Sequence, residues 1–282
     1  MRILLAKIFR LLFKVPFFQK RFFGIHNRIF SPLNLFKGVV QVIKFKKEIY
    51  LELHVDDWIQ ENIYFLGKYE EAELLFIQSS LQKGDVFIDI GTNIGLHSLF
   101  SSKLVGEKGI VVSFEPFSKN FTAFKKNILL NKSLNIIPEN IAISNTEKSI
   151  EIFYNSEESN LGMASSYLTE HSDSETIKAV SLDSYLRDNP LQKINFIKID
   201  IEGGEYNALL GMKNTLTTFY PTLLIEMLEN NEVNQPNNNE NITNYLEKIG
   251  YKKYYINNDG SLELDEINKD RMNFAFVKKS IK

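Results

Sequence analysis

Asp85-Val86-Phe87-Ile88-Asp89-Ile90-Gly91-Thr92-Asn93-Ile94-Gly95 reads as a buried strand that runs straight into a glycine turn and opens a helix. Val86, Phe87, Ile88 and Ile90 form the short apolar run of a strand covered on both faces, and Gly91 and Gly95 let backbone approach a ligand closely. The alternation continues downstream: strand 85–90, helix 94–104, strand 110–115, helix 118–131, strand 135–141, strand 193–200, helix 205–217 and strand 221–227. A helix at 241–249, a hairpin around Asn258-Asp259-Gly260 and a last strand at 274–277 complete it. This rhythm predicts an α/β fold, with a largely parallel sheet of seven strands, helices on both faces and the last strand antiparallel.

The next apolar run, Ile110-Val111-Val112-Ser113-Phe114, ends in Glu115, 20 positions past Gly95. A carboxylate there can accept both hydrogen bonds of a ribose diol. That spacing suits a dinucleotide and S-adenosylmethionine alike, and the glycines separate the two. A dinucleotide turn needs G-x-G-x-x-G, but Asn93 stands at the second glycine, so no pyrophosphate need be accommodated. Asp89 puts negative charge beside the turn, which suits a cofactor carrying an ammonium and a sulfonium. S-adenosylmethionine carries both.

A third apolar strand, Ile194-Asn195-Phe196-Ile197-Lys198-Ile199, again ends in carboxylates and glycines, Asp200-Ile201-Glu202-Gly203-Gly204-Glu205. Asp89-Ile90-Gly91-Thr92-Asn93-Ile94-Gly95, Phe114-Glu115-Pro116, Lys198-Ile199-Asp200-Ile201-Glu202-Gly203 and Thr222-Leu223-Leu224-Ile225-Glu226-Met227, in this order, resemble the FkbM family of S-adenosylmethionine-dependent methyltransferases. Gly67-Lys68-Tyr69-Glu70, Asn140-Ile141-Ala142 and Ser181-Leu182-Asp183 agree as well, so the resemblance covers about residues 60–230. Thr92, where the family usually has alanine, and the second glycine Gly204 depart from the pattern, and neither removes a side chain that the chemistry needs. The resemblance implies a Rossmann-like class I methyltransferase sheet and an O-methyltransferase acting on a carbohydrate or another small-molecule or glycan acceptor.

Asp89, Gly91, Asn93, Gly95 and Glu115 are the expected cofactor contacts, with Asn140 and Ile141 bordering the adenine edge where the third strand ends. Tyr69 and Glu70, at a family position, are expected to cap the methionine end. Methyl transfer is an in-line displacement, so the protein must align donor and acceptor and remove the hydroxyl proton. Asp200 and Glu202, just past the fourth strand, are the expected catalytic carboxylates, one taking the proton and the other orienting substrate or the methionine ammonium. His97, two residues past Gly95, is a further candidate base, against the plainer reading of a packed histidine. Glu226 with Asp200 offers hard oxygen ligands that suit Mg²⁺, but no spacing demands an ion and no metal is expected. Ser165 and Ser166 match the family's serine-bearing loop only loosely.

An apolar fraction of 44% over 282 residues supports one large α/β domain with extensions. With no cysteine, a disulfide framework, a zinc thiolate site and a thiol nucleophile are excluded, and four scattered histidines make no metal cluster. The net charge of −2 hides an asymmetry: residues 1–47 hold eleven Lys or Arg and no acidic residue, leaving 22 basic against 35 acidic side chains in the remainder. A basic arm on an acidic body points to an anionic surface, either acidic lipid or an acidic partner, and away from nucleic acid, whose phosphates the body would repel.

Residues 3–15 read as an amphipathic helix ended by Pro16, with Lys7, Arg10 and Lys14 on one face and Leu4, Leu5, Ile8, Leu11, Leu12 and Val15 on the other. Charges interrupt it too often for a spanning helix, and it has neither a secretory cleavage pattern nor the serines of a transit peptide, so a cytoplasmic protein is expected, peripheral on the inner face of the membrane. Residues 39–55 alternate as a hairpin around Lys46-Lys47-Glu48, residues 69–81 read as a helix, and Asn155–Thr176 and Asn230–Asn241 read as loops. The domains are thus a basic arm at 1–37, a hairpin extension at 38–66 and a methyltransferase domain at 67–282. The alternatives are an NAD(P)-dependent reductase, disfavoured by Asn93, and a non-catalytic cofactor- or glycan-binding module, against which Asp200 and Glu202 argue.

Overall fold

The computed structural model describes residues 1–46, 48–133, 135–154, 173–227, 238–264 and 272–278, which divide into two compact units, residues 1–70 and residues 71 onward. The first unit contains α1 (Arg2–Leu12), α2 (Pro16–Gln19), α3 (Phe22–Ile25), a π-helical turn (His26–Phe30), the antiparallel pair β1 (Val40–Phe45) and β2 (Ile49–His54), and α4 (Trp58–Leu66). Its core is aromatic: Phe13 meets Phe22 at 5.2 Å and Phe65 at 5.5 Å between ring centroids, and Phe9 meets Phe30 at 4.9 Å, all edge-on. This arrangement adds an electrostatic preference to the buried area. The hairpin is where the alternation predicts it, whereas α4 is unforeseen. Its ends carry the expected chemistry: Asp57 caps it by accepting from Gln60 N–H at 3.0 Å, and Gly67 leaves it at φ +67.

The arm helix forms where the amphipathic pattern predicts it, but ends at Leu12, short of Pro16. Ala6 and Phe13 are its buried residues, while Leu4, Ile8 and Leu11 are exposed. The docking stripe is the aromatic one, in which Phe9 meets Phe30 and Phe13 meets Phe22 and Phe65 edge-on.

The second unit runs α5 (Glu71–Ser80), β3 (Val86–Ile90), α6 (Leu96–Val105), β4 (Ile110–Phe114), α7 (Ser118–Asn131), β5 (Ile136–Glu139), β6 (Ala142–Ile143), β7 (Lys148–Tyr154), β8 (Asp173–Val180), α8 (Leu182–Asp188), β9 (Phe196–Ile199), α9 (Glu205–Leu210), α10 (Lys213–Phe219), β10 (Thr222–Glu226), α11 (Asn238–Lys248), β11 (Tyr251–Ile256), β12 (Leu262–Leu264) and β13 (Asn273–Lys278). Its main sheet has the order β12-β11-β13-β10-β9-β3-β4-β5. Strands β5, β4, β3, β9 and β10 are parallel, and β13 is antiparallel to both β10 and β11. Seven strands with an antiparallel last one are therefore present, and the eighth, β12, is the three-residue return of the hairpin after Gly260.

A side sheet β6-β8-β7 was not expected. Most of the loop read at Asn155–Thr176, with Ser165 and Ser166, lies outside the described residues, but from Asp173 the chain is strand, paired with β7. The helix read at 205–217 is two helices, because Gly211 is backed against the Ser144 carbonyl, where an added Cβ would sit 2.0 Å from the oxygen.

The core strand β3 is buried at all five positions. Its alternation sends Ile88 and Ile90 into a cluster with Val112, Ile197, Ile199 and Ile225, and sends Phe87 the other way, stacked on Phe196 at 5.4 Å. Chain order reverses between β3 and β9, which makes a crevice outside the carboxyl ends of these strands, the usual ligand position in open α/β sheets.

Asp183 ties the outer helices together. Its carboxylate accepts from Asn214 N–H at 2.8 Å and from Thr215 N–H and Oγ1 at 2.9 and 2.7 Å, capping α10 from α8. Asp183→Ala is expected to lower the unfolding free energy by about 1–2 kcal/mol in a urea titration, with Asp183→Asn, which keeps an acceptor, losing roughly half as much.

Candidate active site

The turn after β3 is wedged between two strand ends. Gly91 and Thr92 N–H both donate to the Phe114 carbonyl, at 2.9 and 3.1 Å, and Asp200 N–H donates to the Ile90 carbonyl at 3.0 Å. Gly91 takes φ +84, and a Cβ on it would lie 1.7 Å from the Asp200 carbonyl oxygen. Gly95, at φ +93, faces the Phe124 ring, which a Cβ would meet at 2.2 Å. The first glycine thus admits another strand's backbone, and the second lets α6 pack on α7.

Parallel registry places Asp89 beside Ser113 on β4 and beside Lys198 on β9. Directly paired residues face the same side, so Ser113, Asp89 and Lys198 form a polar row across an otherwise apolar sheet. Asp89 is fully buried, and its Oδ2 accepts from Thr92 Oγ1 at 2.7 Å and Ser98 Oγ at 2.5 Å, while Oδ1 has no hydrogen-bond partner among the described residues. Burial raises its pKa, and the Lys198 ammonium pulls it back down. Lys198 is itself buried, with Nζ 2.6 Å from Asp200 Oδ2. His97 belongs to the same neighbourhood: burial, and then the Lys198 charge, hold its imidazole well below 6.5, so it is neutral at pH 7.

Glu115 closes the turn from β4. Its Oε2 accepts from Asn93 N–H at 2.7 Å and its Oε1 from Phe117 N–H at 3.0 Å, and Asn93 reaches this position with φ +50. Burial pushes the Glu115 carboxyl up to about 7. One lone-pair site on each oxygen remains for a diol. Asn140 Nδ2 donates to the carbonyls of Glu115 and Pro116, both at 2.8 Å, so its side chain holds the end of β4 that carries Glu115. Ile141 is half-buried against the core. Tyr69 and Glu70 fall at the end of the first unit, immediately before α5.

Past β9 the carboxylates converge. Asp200, Glu202 and Glu226 each bring an oxygen within 4.8 Å of the others, a spacing that would also suit a hard cation. Burial works against the Asp200 carboxylate, but the Lys198 charge together with the hydrogen bonds from Glu226 and Lys198 outweighs it, and Asp200 stays below the usual range. Burial and then the Asp200 charge push Glu226 strongly upward, which makes it a neutral acid at pH 7. Glu202 holds the turn with φ +54.

The sequence reading passed over Lys198 and Glu205. A lysine inside an apolar strand, two residues before an aspartate on the same face, is the signal for the first. Glu205 is fully buried, with Oε1 accepting from Ile201 and Gly203 N–H at 3.1 Å each, so it shapes the loop that presents Asp200 and Glu202.

Two measurements test this construction. Gly91→Ala is expected to cost at least about 3 kcal/mol in thermal unfolding, whereas Gly250→Ala, at φ +96 with open space around it, costs only the left-handed strain of about 1–2 kcal/mol. Burial raises Glu205 to about 7 from the ordinary 4.5, so the folded state holds its proton more tightly than the unfolded chain does. That stabilisation is full below 4.5 and lost as pH climbs through about 7. Glu205→Gln keeps the Oε1 acceptor and removes the titration. Between pH 4.5 and 8 the wild type is expected to lose up to about 3 kcal/mol more stability than this variant, read by urea unfolding at both pH values.

A family model described as the methyltransferase FkbM domain matches residues 89–253, a stretch that starts at Asp89 and includes Glu115, Asp200 and Glu226. A curated relative, hexuronic acid methyltransferase AglP of Haloferax volcanii, is 28% identical over 147 residues, 52% of this chain and 58% of the relative. The chain thus spans less than two thirds of that relative's length. Among solved structures, methyltransferase FkbM from Methylobacillus flagellatus KT superposes with a TM-score of 0.50 at 17% identity, over 76% of this chain and 52% of that one, and shares the fold. With more than half of its length under the family model, the chain belongs to the FkbM family of S-adenosylmethionine-dependent methyltransferases.

Proposed function

We propose that this protein transfers a methyl group from S-adenosylmethionine to a hydroxyl of a carbohydrate acceptor. The observation that carries the donor half is Glu115, a buried carboxylate tied to the glycine turn through Asn93 N–H with lone pairs left for a ribose diol. The acceptor half is supported by family membership and by the relative whose printed activity is on hexuronic acid. The catalytic reading belongs to residues 67–282, with the arm at 1–37 and the hairpin extension at 38–66 as accessories.

In this reading Gly91, Asn93, Gly95 and Glu115 hold the adenosine side, Asn140 and Ile141 border the adenine, and the unpartnered Oδ1 of Asp89 fits the methionine ammonium. Bound S-adenosylmethionine supplies a methyl group activated by its sulfonium. Asp200, kept ionised by Lys198, receives the hydroxyl proton. A weak base suffices, because the attacking oxygen becomes strongly acidic as its new bond forms. Glu202 orients the acceptor, and His97, neutral at pH 7, is the adjoining acceptor for that proton. Lys198 already compensates the carboxylates, so no metal is required. The protein works in the cytoplasm without binding nucleic acid, and its basic arm makes peripheral contact with anionic membrane.

Calorimetric titration of S-adenosylmethionine is expected to give micromolar binding that Glu115→Ala weakens at least about 100-fold, the worth of two charge-assisted hydrogen bonds. Binding of NADH in its place would overturn the reading. Asp200→Asn is expected to lower kcat at least about 100-fold with cofactor affinity intact. Dialysis against EDTA is expected to leave turnover unchanged, and a loss that Mg²⁺ restores would assign the three carboxylates to a cation instead.

A further inference from the structure

Helix α1 has two apolar faces. By helical spacing Ala6, Phe9 and Phe13 make the inward one, set against the aromatic core of the first unit. Leu4, Ile8, Leu11 and Leu12, at i, i+4, i+7 and i+8, make the other. That second face is open, with Leu4 64%, Ile8 44% and Leu11 62% exposed. Lys7 and Lys14 flank it in solvent, whereas Arg10 turns inward over the Tyr64 ring at 4.9 Å. Among the described residues no helix is long and apolar enough to cross a membrane. At 11 residues, α1 is about 16 Å long, half the thickness of a bilayer core.

We propose that the outward face of α1 is an insertion surface for an anionic bilayer. Leu4, Ile8, Leu11 and Leu12 sink into the boundary between headgroups and acyl chains, and Lys7 and Lys14 reach along them to the lipid phosphates. The proposal rests on the peripheral contact put forward above and names the residues that make it. Charge selects the occupant. Every charged side chain in residues 1–47 is basic, so a second copy of the arm would set lysines against lysines with no carboxylate to pair them. A nucleic acid has no apolar layer to receive four aliphatic side chains. An anionic leaflet satisfies both halves of the surface. Insertion leaves the inward face in place, so the unit need not unfold to bind.

The test is co-sedimentation of the full chain with vesicles of phosphatidylcholine alone or with roughly one-third phosphatidylglycerol. Binding is expected at least about tenfold tighter to the anionic vesicles and to weaken as salt is raised. The double variant Leu4→Glu/Leu11→Glu abolishes it. Lys7→Gln/Lys14→Gln weakens it more than about tenfold, since each basic residue near such a surface is worth roughly fivefold. Equal binding to both vesicles, or none, overturns the proposal. So does analytical ultracentrifugation in which the wild type is a dimer that Leu4→Glu/Leu11→Glu dissolves. Calorimetry with S-adenosylmethionine on the same proteins separates the two readings: the variants keep the wild-type affinity, and a wild type that binds anionic lipid but not the cofactor refutes the methyltransferase assignment while leaving the insertion surface standing.

Discussion

Between Gly91 and Asp200 two stretches of main chain lie closer than any side chain allows, with the position of a hypothetical Cβ 1.7 Å from the neighbouring carbonyl oxygen. The contact sits where chain order reverses between β3 and β9, and it holds the glycine turn against the acidic loop. Asp89, Lys198 and Asp200 become neighbours through it, although Asp89 and Lys198 are more than a hundred residues apart in sequence. Remove the tolerance at Gly91, and the turn that presents Asn93 to Glu115 has to move away from the carboxylates past β9.

The charges in this region are held at the limit of what burial permits. A buried ion pair such as Lys198–Asp200 returns little net stability, because desolvation consumes most of the attraction. Its value lies in fixing charge states: Asp200 ionised, His97 neutral, Glu226 protonated. Three groups that would titrate independently in water are set by burial and by the Lys198–Asp200 pair, the ammonium acting on Asp200 and His97 and the Asp200 charge on Glu226. At Asp89 burial still raises the carboxyl, and the Ser98 and Thr92 hydroxyls oppose it after Lys198. Thr92, where the family usually has alanine, therefore adds a donor to the buried carboxylate.

Much of this was legible in the chain, and the gaps have physical causes. The strand, the turn and the spacing to Glu115 are local, so apolar periodicity and glycine placement revealed them. The partner of Lys198 depends on the registry of β3 with β9, which no local pattern encodes. The bond from the Asn140 amide to the carbonyls that carry Glu115 was not legible, because it exists only once β4 and β5 pair. Strand β8 begins in a polar stretch, Asp173-Ser174-Glu175-Thr176, and is strand because β7 supplies its hydrogen bonds. In α1 the amphipathic pattern was visible, but Phe9 and Phe13 make a second apolar stripe, which packs on the rings of the core.

The position of Glu115 near neutrality has one more consequence. A carboxyl that titrates at about 7 is half protonated in the resting protein under physiological conditions. A ribose diol that donates to both of its oxygens favours the ionised form and expels a proton on binding. The donor and the spent thioether carry the same diol, so affinity for both rises together through this pH range. The heat of binding of either then depends on the ionisation enthalpy of the buffer.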